Sequence, residues 1–279
     1  MSKTDSVSHH AHSIILSDRR PTYTIYEKIW NYLSNGRAVV YAAEPNPSHV
    51  IQKMSKMGGQ YSASSKDVQL EDYVATGALT VVDKDEVYST TNQFDIDKLL
   101  RSWHSLILKA KGKPTTHKRV VAIGAPSSFL QTSNIEKLFE YEGRIISSEK
   151  IPKTIETICW YNDPKLFAKL RYSQLLMILN DHDASIHRGW WYRRWYSDNI
   201  IAFVCDGIDN ALGEGASKLI FKTLMMVYNL DKETVVSQPE LFEEKVTKII
   251  GKRTAELAFE IIADTIRKEM AFDRIAEIY

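Results

Sequence analysis

From His12 to Gly124 the chain alternates short apolar runs with longer stretches whose apolar residues recur at helical spacing. His12–Leu16 reads as a short strand, followed by the polar turn Ser17-Asp18-Arg19-Arg20-Pro21. Tyr26, Ile29, Trp30 and Leu33 share one face of a helix predicted from Tyr23 to Leu33, with Asn35-Gly36 as its stop. Arg37–Ala43, Leu79–Asp83 and Arg119–Gly124 are nearly unbroken apolar runs, the pattern of strands buried on both faces of a parallel sheet. Glu44-Pro45-Asn46-Pro47-Ser48 opens a helix predicted to run to Met57 and stop at Gly58-Gly59, and a further helix is predicted from Ile96 to Ala110. Phe139–Glu142 closes another helix, Thr157–Tyr161 is an alternating strand, and Leu175–Leu179 belongs to a helix. Strand and helix in strict alternation imply βαβ units. The predicted fold class over residues 12–187 is α/β: a mainly parallel sheet with helices on both faces.

Beyond His187 the pattern changes. Residues 188–198 read as a basic, aromatic linker and 199–279 as a small all-helical domain; residues 1–11, polar and His-rich, read as disordered. Within the helical part, Ile200–Leu212 and Gly215–Tyr228 are periodic. Ser237-Gln238-Pro239-Glu240 has the spacing of a capping box with Pro in the first turn, so a helix is expected there that ends at Gly251. A last helix from Arg253 to about Ile275 is expected to present Leu257, Ile261, Ile262, Ile266 and Met270 along one side.

Composition narrows the class. An apolar content of 44% with 25% charged residues over 279 residues is that of a globular chain of one or two domains. The net charge of +1 provides no global field for nucleic acid or anionic lipid. It is unevenly spread: residues 200–279 carry −4, leaving +5 on the rest. Cys159 and Cys205, the two cysteines, both sit in apolar runs, which suits buried thiols in a reducing cytoplasm rather than a disulfide framework. No apolar run approaches the ~20 residues that span a bilayer.

The stretch from Leu138 to His187 carries a resemblance. Leu138-Phe139-Glu140-Tyr141-Glu142 has the form L-x-E-Y-E, and the strand ending Cys159-Trp160-Tyr161 is followed by Asp163 and a helix that precedes a His. In these features the chain resembles the MEDS family, the methanogen/methylotroph sensory domains. That resemblance implies kinship with RecA/KaiC-like ATPases that have lost the nucleotide-hydrolysing apparatus, and so a non-catalytic sensor without a cofactor. The segments Gly213–Lys218 and Pro239–Glu244 similarly resemble a short archaeal helical domain of uncharacterised function.

The residues agree with a lost ATPase site. A phosphate loop needs G-x-x-x-x-G-K-[ST] between the first strand and helix, because backbone N–H groups and the Lys hold the phosphates. Here Ser17–Thr22 offers neither Gly nor Lys, and Gly251-Lys252-Arg253-Thr254 follows no strand. Where a Mg²⁺-binding Asp is needed after a later apolar strand, Val120–Ile123 runs into Gly124-Ala125-Pro126.

In such a sheet the ligand crevice lies at the carboxyl ends of the strands. Asp18, Arg19, Arg20, Tyr23 and Glu44 are expected there, joined by Trp160 and Tyr161 if their strand is parallel, a set suited to a small organic molecule or a signalling partner. Any single one of them reads more readily as a solvated turn charge or a core aromatic. A second cluster, Arg188, Trp190, Trp191, Arg193, Arg194 and Trp195, suits either packing between domains and self-association or stacking on single-stranded nucleic acid. Asp183 and His187, four apart, would share a helix face, but two ligands do not make a metal site. Glu140 and Glu142, two apart, face different ways on a helix and are not read as a catalytic pair.

Overall fold

The computed structural model of the chain describes residues 11–16, 21–61, 69–88, 95–111, 119–126, 129, 135–147, 155–161, 169–180, 182, 184–187, 190–193 and 196–270. The chain divides into two compact units, Met1–Asn162 and Asp163–Tyr279.

The first unit is built on five parallel strands: β1 (Ala11–Leu16), β2 (Ala38–Ala42), β3 (Leu79–Val81), β4 (Val120–Gly124) and β5 (Ile155–Tyr161), in the order β3-β2-β4-β5-β1. Every residue of β2 and β4 is buried, which is why these central strands read as continuous apolar runs. The register aligns the carboxyl ends: Ala42 pairs with Gly124, Gly124 with Cys159, and Leu16 with Tyr161. The helices are α1 (Pro21–Ser34), α2 (Pro47–Tyr61), α3 (Leu70–Thr76), α4 (Lys84–Val87), α5 (Ile96–Lys111) and α6 (Ile135–Ser147).

Side chains alternate faces along a strand, so contacts to β5 assign the layers. Tyr32 of α1 donates to Glu156 at 2.7 Å, on one face, while Glu142 of α6 accepts from Tyr161 at 2.6 Å, on the other. Helices therefore cover both faces, as the alternation in the sequence requires. The layers are tied at their edges. Trp30 donates to the Met54 carbonyl at 3.2 Å, joining α1 to α2. Asp83 accepts from the backbone N–H groups of Asn46 (2.9 Å) and Asp85 (2.8 Å), linking the loop after β2 to the start of α4 and lowering the Asp83 pKa.

Two details differ from the pattern. α2 continues through Gly58-Gly59 to Tyr61, because a glycine costs a helix only about 1 kcal/mol and does not end it without a cap. α3 was not legible. It is a short helix in which the Asp72 carboxylate accepts from the Gln69 N–H at 3.0 Å, and Gly77 closes it in the left-handed region at φ 75°.

The second unit opens with α7 (Tyr172–Asn180) and an antiparallel pair, β6 (Ala184–His187) and β7 (Trp190–Arg193). Then come α8 (Tyr196–Leu212), α9 (Ala216–Tyr228), α10 (Thr234–Ser237), α11 (Pro239–Ile250) and α12 (Lys252–Met270). Tyr172, Phe221, Phe242 and Phe259 form its aromatic centre, with Tyr172 stacked on Phe259 at 5.0 Å and Phe221 on Phe242 at 5.8 Å. α7 thus packs with the C-terminal helices, and the compact units part at 162/163 although the sequence grammar changes only at 187/188. Asp209 caps α9 through the Ser217 N–H (2.7 Å) and hydroxyl (3.1 Å).

Four expectations are corrected in this unit. The linker expected over 188–198 contains strand β7, paired to β6 from His187↔Trp190 to Ala184↔Arg193. His187 accordingly lies in a strand, so it shares no helix face with Asp183, which is outside the described residues. Ser237 closes α10, donating to the Glu233 carbonyl at 2.9 Å, and Gln238 rather than Ser237 is the N-cap of α11. On α12 the buried side is Ala255, Ala258, Phe259, Ile262, Ala263 and Ile266, whereas Leu257 is 53% exposed: at 3.6 residues per turn it falls off the stripe that these six positions define.

Candidate functional site

The carboxyl ends of the parallel strands hold two polar clusters, one on each face of the sheet. On the α1 face, Glu44 follows β2 directly. Its Oε1 accepts from Tyr26 at 2.6 Å and from Tyr41 at 2.7 Å, and Lys53 Nζ lies 3.7 Å from Oε2. Burial first, then the Glu44 carboxylate, raises both tyrosine pKa values, so both stay neutral donors across the physiological range. Trp160 lies on this face, 6.4 Å from the Tyr41 ring, and its buried indole N–H has no acceptor among the described residues.

On the opposite face the centre is Glu142, which is wholly buried. Its carboxylate accepts from Tyr161 Oη at 2.6 Å and from Cys159 Sγ at 3.3 Å. Around it stands an aromatic box. Tyr141 stacks on Phe129 at 5.3 Å, Tyr88 meets the edges of Trp103, Phe129 and Tyr141 at 6.1 to 6.4 Å, and the Tyr88 and Tyr141 hydroxyls are 3.3 Å apart. Burial is the chief reason that the pKa values of Tyr88, Tyr141 and Tyr161 lie well above the ordinary range. Gly124 ends β4 against this box. A methyl group there would collide with Tyr88 Oη and approach Trp103 Cζ2 to 2.7 Å, so an acidic side chain has no room. Next to Gly124, a narrow void between the sheet and helices α5 and α6 is lined by Trp103, Ile107, Tyr141, Thr157 and Cys159 among others.

Of the residues expected to share one crevice, Asp18, Arg19 and Arg20 lie outside the described residues. Tyr23 falls in α1, with its side chain outside them. Glu44, Trp160 and Tyr161 do sit at strand ends, and β5 is parallel to its neighbours as their inclusion required. Trp160 and Tyr161 are successive in β5 and serve opposite faces, so Tyr161 joins Glu142 while Glu44 and Trp160 belong with Tyr41. In the second cluster Arg188, Arg194 and Trp195 are outside the described residues; Trp190, Trp191 and Arg193 fall in β7, their side chains outside them too.

Glu142 was not expected at the centre. Its signal was present: Leu138, Tyr141 and Ile145 mark the buried side of α6, and Glu142 lies within that stripe, four residues after Leu138 and three before Ile145. A carboxylate on an apolar stripe needs donors facing it. The spacing to Glu140 concealed this, because Glu140 does point outward, to Lys137 (2.8 Å) and Arg144 (3.2 Å), which hold its carboxyl below the usual range.

The first unit is thus a parallel α/β domain with an enclosed carboxylate and an aromatic box beneath its strand ends. The family profile described as the methanogen/methylotroph, DcmR sensory domain matches residues 22–183, and the chain belongs to this family, MEDS. Membership gives the chain a sensory or regulatory role. No curated protein matches it. Among the described residues, no helix is long and apolar enough to cross a membrane.

Proposed function

We propose that this is a non-catalytic regulatory protein whose α/β unit binds a small ligand or a protein partner and whose C-terminal helices transmit the bound state or dimerise. The reading rests chiefly on the crowding at the end of β4, where the Tyr88 and Trp103 side chains occupy the space that a metal-binding acid would need. It is supported by Glu44, a carboxylate at the strand ends that is engaged by two tyrosine hydroxyls rather than open to a substrate. The parallel sheet with helices on both faces fits kinship with RecA/KaiC-like ATPases, and the segment 17–22 lacks the Gly and Lys on which their phosphate binding depends.

The test is a thermal-shift screen of the full chain against metabolites and nucleotides. A ligand specific for the folded state stabilises it as RT ln(1 + [L]/Kd), about 2.7 kcal/mol at a hundredfold excess over Kd. At least one neutral metabolite should raise Tm in a saturable way, and ATP with Mg²⁺ should give no turnover. Phosphate release above background that is abolished by changing Glu44 or Asp18 would overturn the non-catalytic reading. A gel-shift titration across salt addresses the alternative, a nucleic-acid regulator acting through 188–196: binding that weakens steeply with salt would favour it, and none is expected.

A further inference from the structure

We infer that the chain binds a second copy of itself through two unlike helix faces: the lysine-flanked outer face of α9 docks antiparallel on the glutamate-flanked outer face of α12. The inference rests on the regulatory reading above, in which the C-terminal helices transmit or dimerise, and names the surface through which copies meet.

The two helices carry one pattern with opposite charge. Lys218-Leu219-Ile220-Phe221-Lys222 on α9 matches Glu256-Leu257-Ala258-Phe259-Glu260 on α12. In both, the two residues after the leucine are buried in the unit, while the leucine and both charged residues are exposed. The frame continues, with Thr223 and Val227 on α9 standing where Ile261 and Thr265 stand on α12. The α9 face is the more apolar. Leu219, Met225, Met226 and Val227 are 58 to 74% exposed. Of these, Leu219, Met226 and Val227 join Thr223 at the i, i+4, i+7, i+8 spacing of one helix face, separate from the buried face of Ile220, Phe221 and Leu224. The Thr223 hydroxyl already donates to the Leu219 carbonyl at 2.9 Å, so it brings no free donor to that face. An exposed apolar stripe rimmed by charge is the form of an interaction surface.

Charge selects the occupant. At about 3.6 residues per turn, Lys218 and Lys222 lie on the same flank of Leu219 as Glu256 and Glu260 do of Leu257. Turning one helix end for end against another leaves that flank on the same side, so antiparallel pairing sets flank against flank. α9 on α9 would bring lysine rows together, and α12 on α12 glutamate rows, and both repel. α9 on α12 instead pairs Lys218 with Glu260 and Lys222 with Glu256, and lays Leu219 and Thr223 along Ile261 and Leu257. Within one chain both helices pack on α8 and α11, and both outer faces stay open, so a second copy supplies the match. The rim is exposed, and Glu256 already has Lys252 at 3.9 Å. The ion pairs therefore set partner and register, and the apolar side chains supply the affinity. Each copy offers one face of each kind, so the contact is heterologous and the assembly is a dimer or larger.

The experiment is sedimentation velocity on the full chain, from micromolar concentration upward, with circular dichroism to show that each variant folds. The parent should associate reversibly, and less tightly as salt rises. Lys218→Glu with Lys222→Glu should weaken association by about tenfold or more, since two attractive pairs become repulsive. Glu256→Lys with Glu260→Lys should do the same. All four reversals in one chain should restore association, because the pairs return with their signs exchanged. Leu219→Ser with Met226→Ser, which keeps every charge, should abolish it. A parent that is monomeric throughout overturns the inference and leaves the regulatory reading standing, with the helices transmitting within one chain. If that monomer floats with phosphatidylserine vesicles, the α9 face serves a bilayer instead. Association that ignores both reversals, or a folded fourfold variant that stays monomeric, overturns the inference as well.

Discussion

Tyr161 donates its hydroxyl to Glu142 over 2.6 Å, and that single bond joins the two sequence segments that carry the family resemblance. Glu142 ends the L-x-E-Y-E segment on α6, and Tyr161 ends the Cys-Trp-Tyr segment of β5. With Cys159 donating to the second carboxylate oxygen at 3.3 Å, the helix is pinned to the carboxyl end of the central sheet at a fixed height. A buried carboxylate held by the Tyr161 hydroxyl and the Cys159 thiol is a stiff coupling between strand and helix.

Tyr161→Phe should be costly although it removes one oxygen atom. The ring still fits, but the wholly buried Glu142 loses the 2.6 Å hydrogen bond from Tyr161. Leaving a buried acceptor short of a donor costs about 1–3 kcal/mol, which urea unfolding reads as a lower midpoint at unchanged slope. Because Glu142→Gln weakens the same bond, the two changes together should cost less than their sum. A Tyr161→Phe variant as stable as the parent would show that the bond adds nothing.

The tyrosines predict a steep alkaline limit. Tyr41, Tyr88, Tyr141, Tyr161 and Tyr172 have pKa values raised above the usual 10, in each case mainly by burial. A raised folded-state pKa favours folding fully below the unfolded value and loses that effect as pH rises, since the unfolded chain ionises first. Stability should therefore be flat in this respect up to about pH 10 and fall above it. Near-ultraviolet tyrosinate absorbance from these residues should appear together with the loss of far-ultraviolet dichroism. A smooth tyrosinate titration that precedes unfolding would contradict their burial.

The sheet was legible because β2 and β4 are buried on both faces, leaving continuous apolar runs that no other element of that length produces. The β6–β7 pair was not: Ala184–His187 and Trp190–Arg193 are four residues each, too short for alternation to register against a run of aromatic and basic residues. The strand-end position of Glu44, Trp160 and Tyr161 could be read from the order of elements alone. Which face each serves could not, because that depends on the pleat of β5 and on which helix lands on which side. Trp103 and Tyr88 gave no sign of sharing a site, being brought together by the close approach at Gly124.

Two glycines in the α/β unit should respond oppositely to alanine. Gly143 lies within α6 with nothing within 4 Å of an added methyl group, so Gly143→Ala should stabilise by about 0.5–1 kcal/mol through helix propensity. Gly124→Ala drives a methyl group into Tyr88 and Trp103, and overpacking of that kind costs about 1–3 kcal/mol. Thermal unfolding of the two variants side by side is the measurement. Equal shifts in Tm would mean that the end of β4 has more freedom than the packing of the aromatic box allows.

In the helical unit the same substitution tests how closely two helices approach. Gly207 lies in the middle of α8, where propensity alone would favour alanine by about 1 kcal/mol. Its added methyl group, however, would come within 2.6 Å of Ile262 Cγ1 and 2.9 Å of Ile262 Cα on α12. The first clash is with a side chain that could turn; the second is with backbone, so the helices themselves must separate. The packing loss should outweigh propensity, making Gly207→Ala net destabilising by about 1–3 kcal/mol. Adding Ile262→Ala, which removes Cγ1, should relieve only part of the clash, because the approach to the α12 backbone survives the change. If Gly207→Ala instead raises the urea midpoint, α8 and α12 do not pack through this glycine.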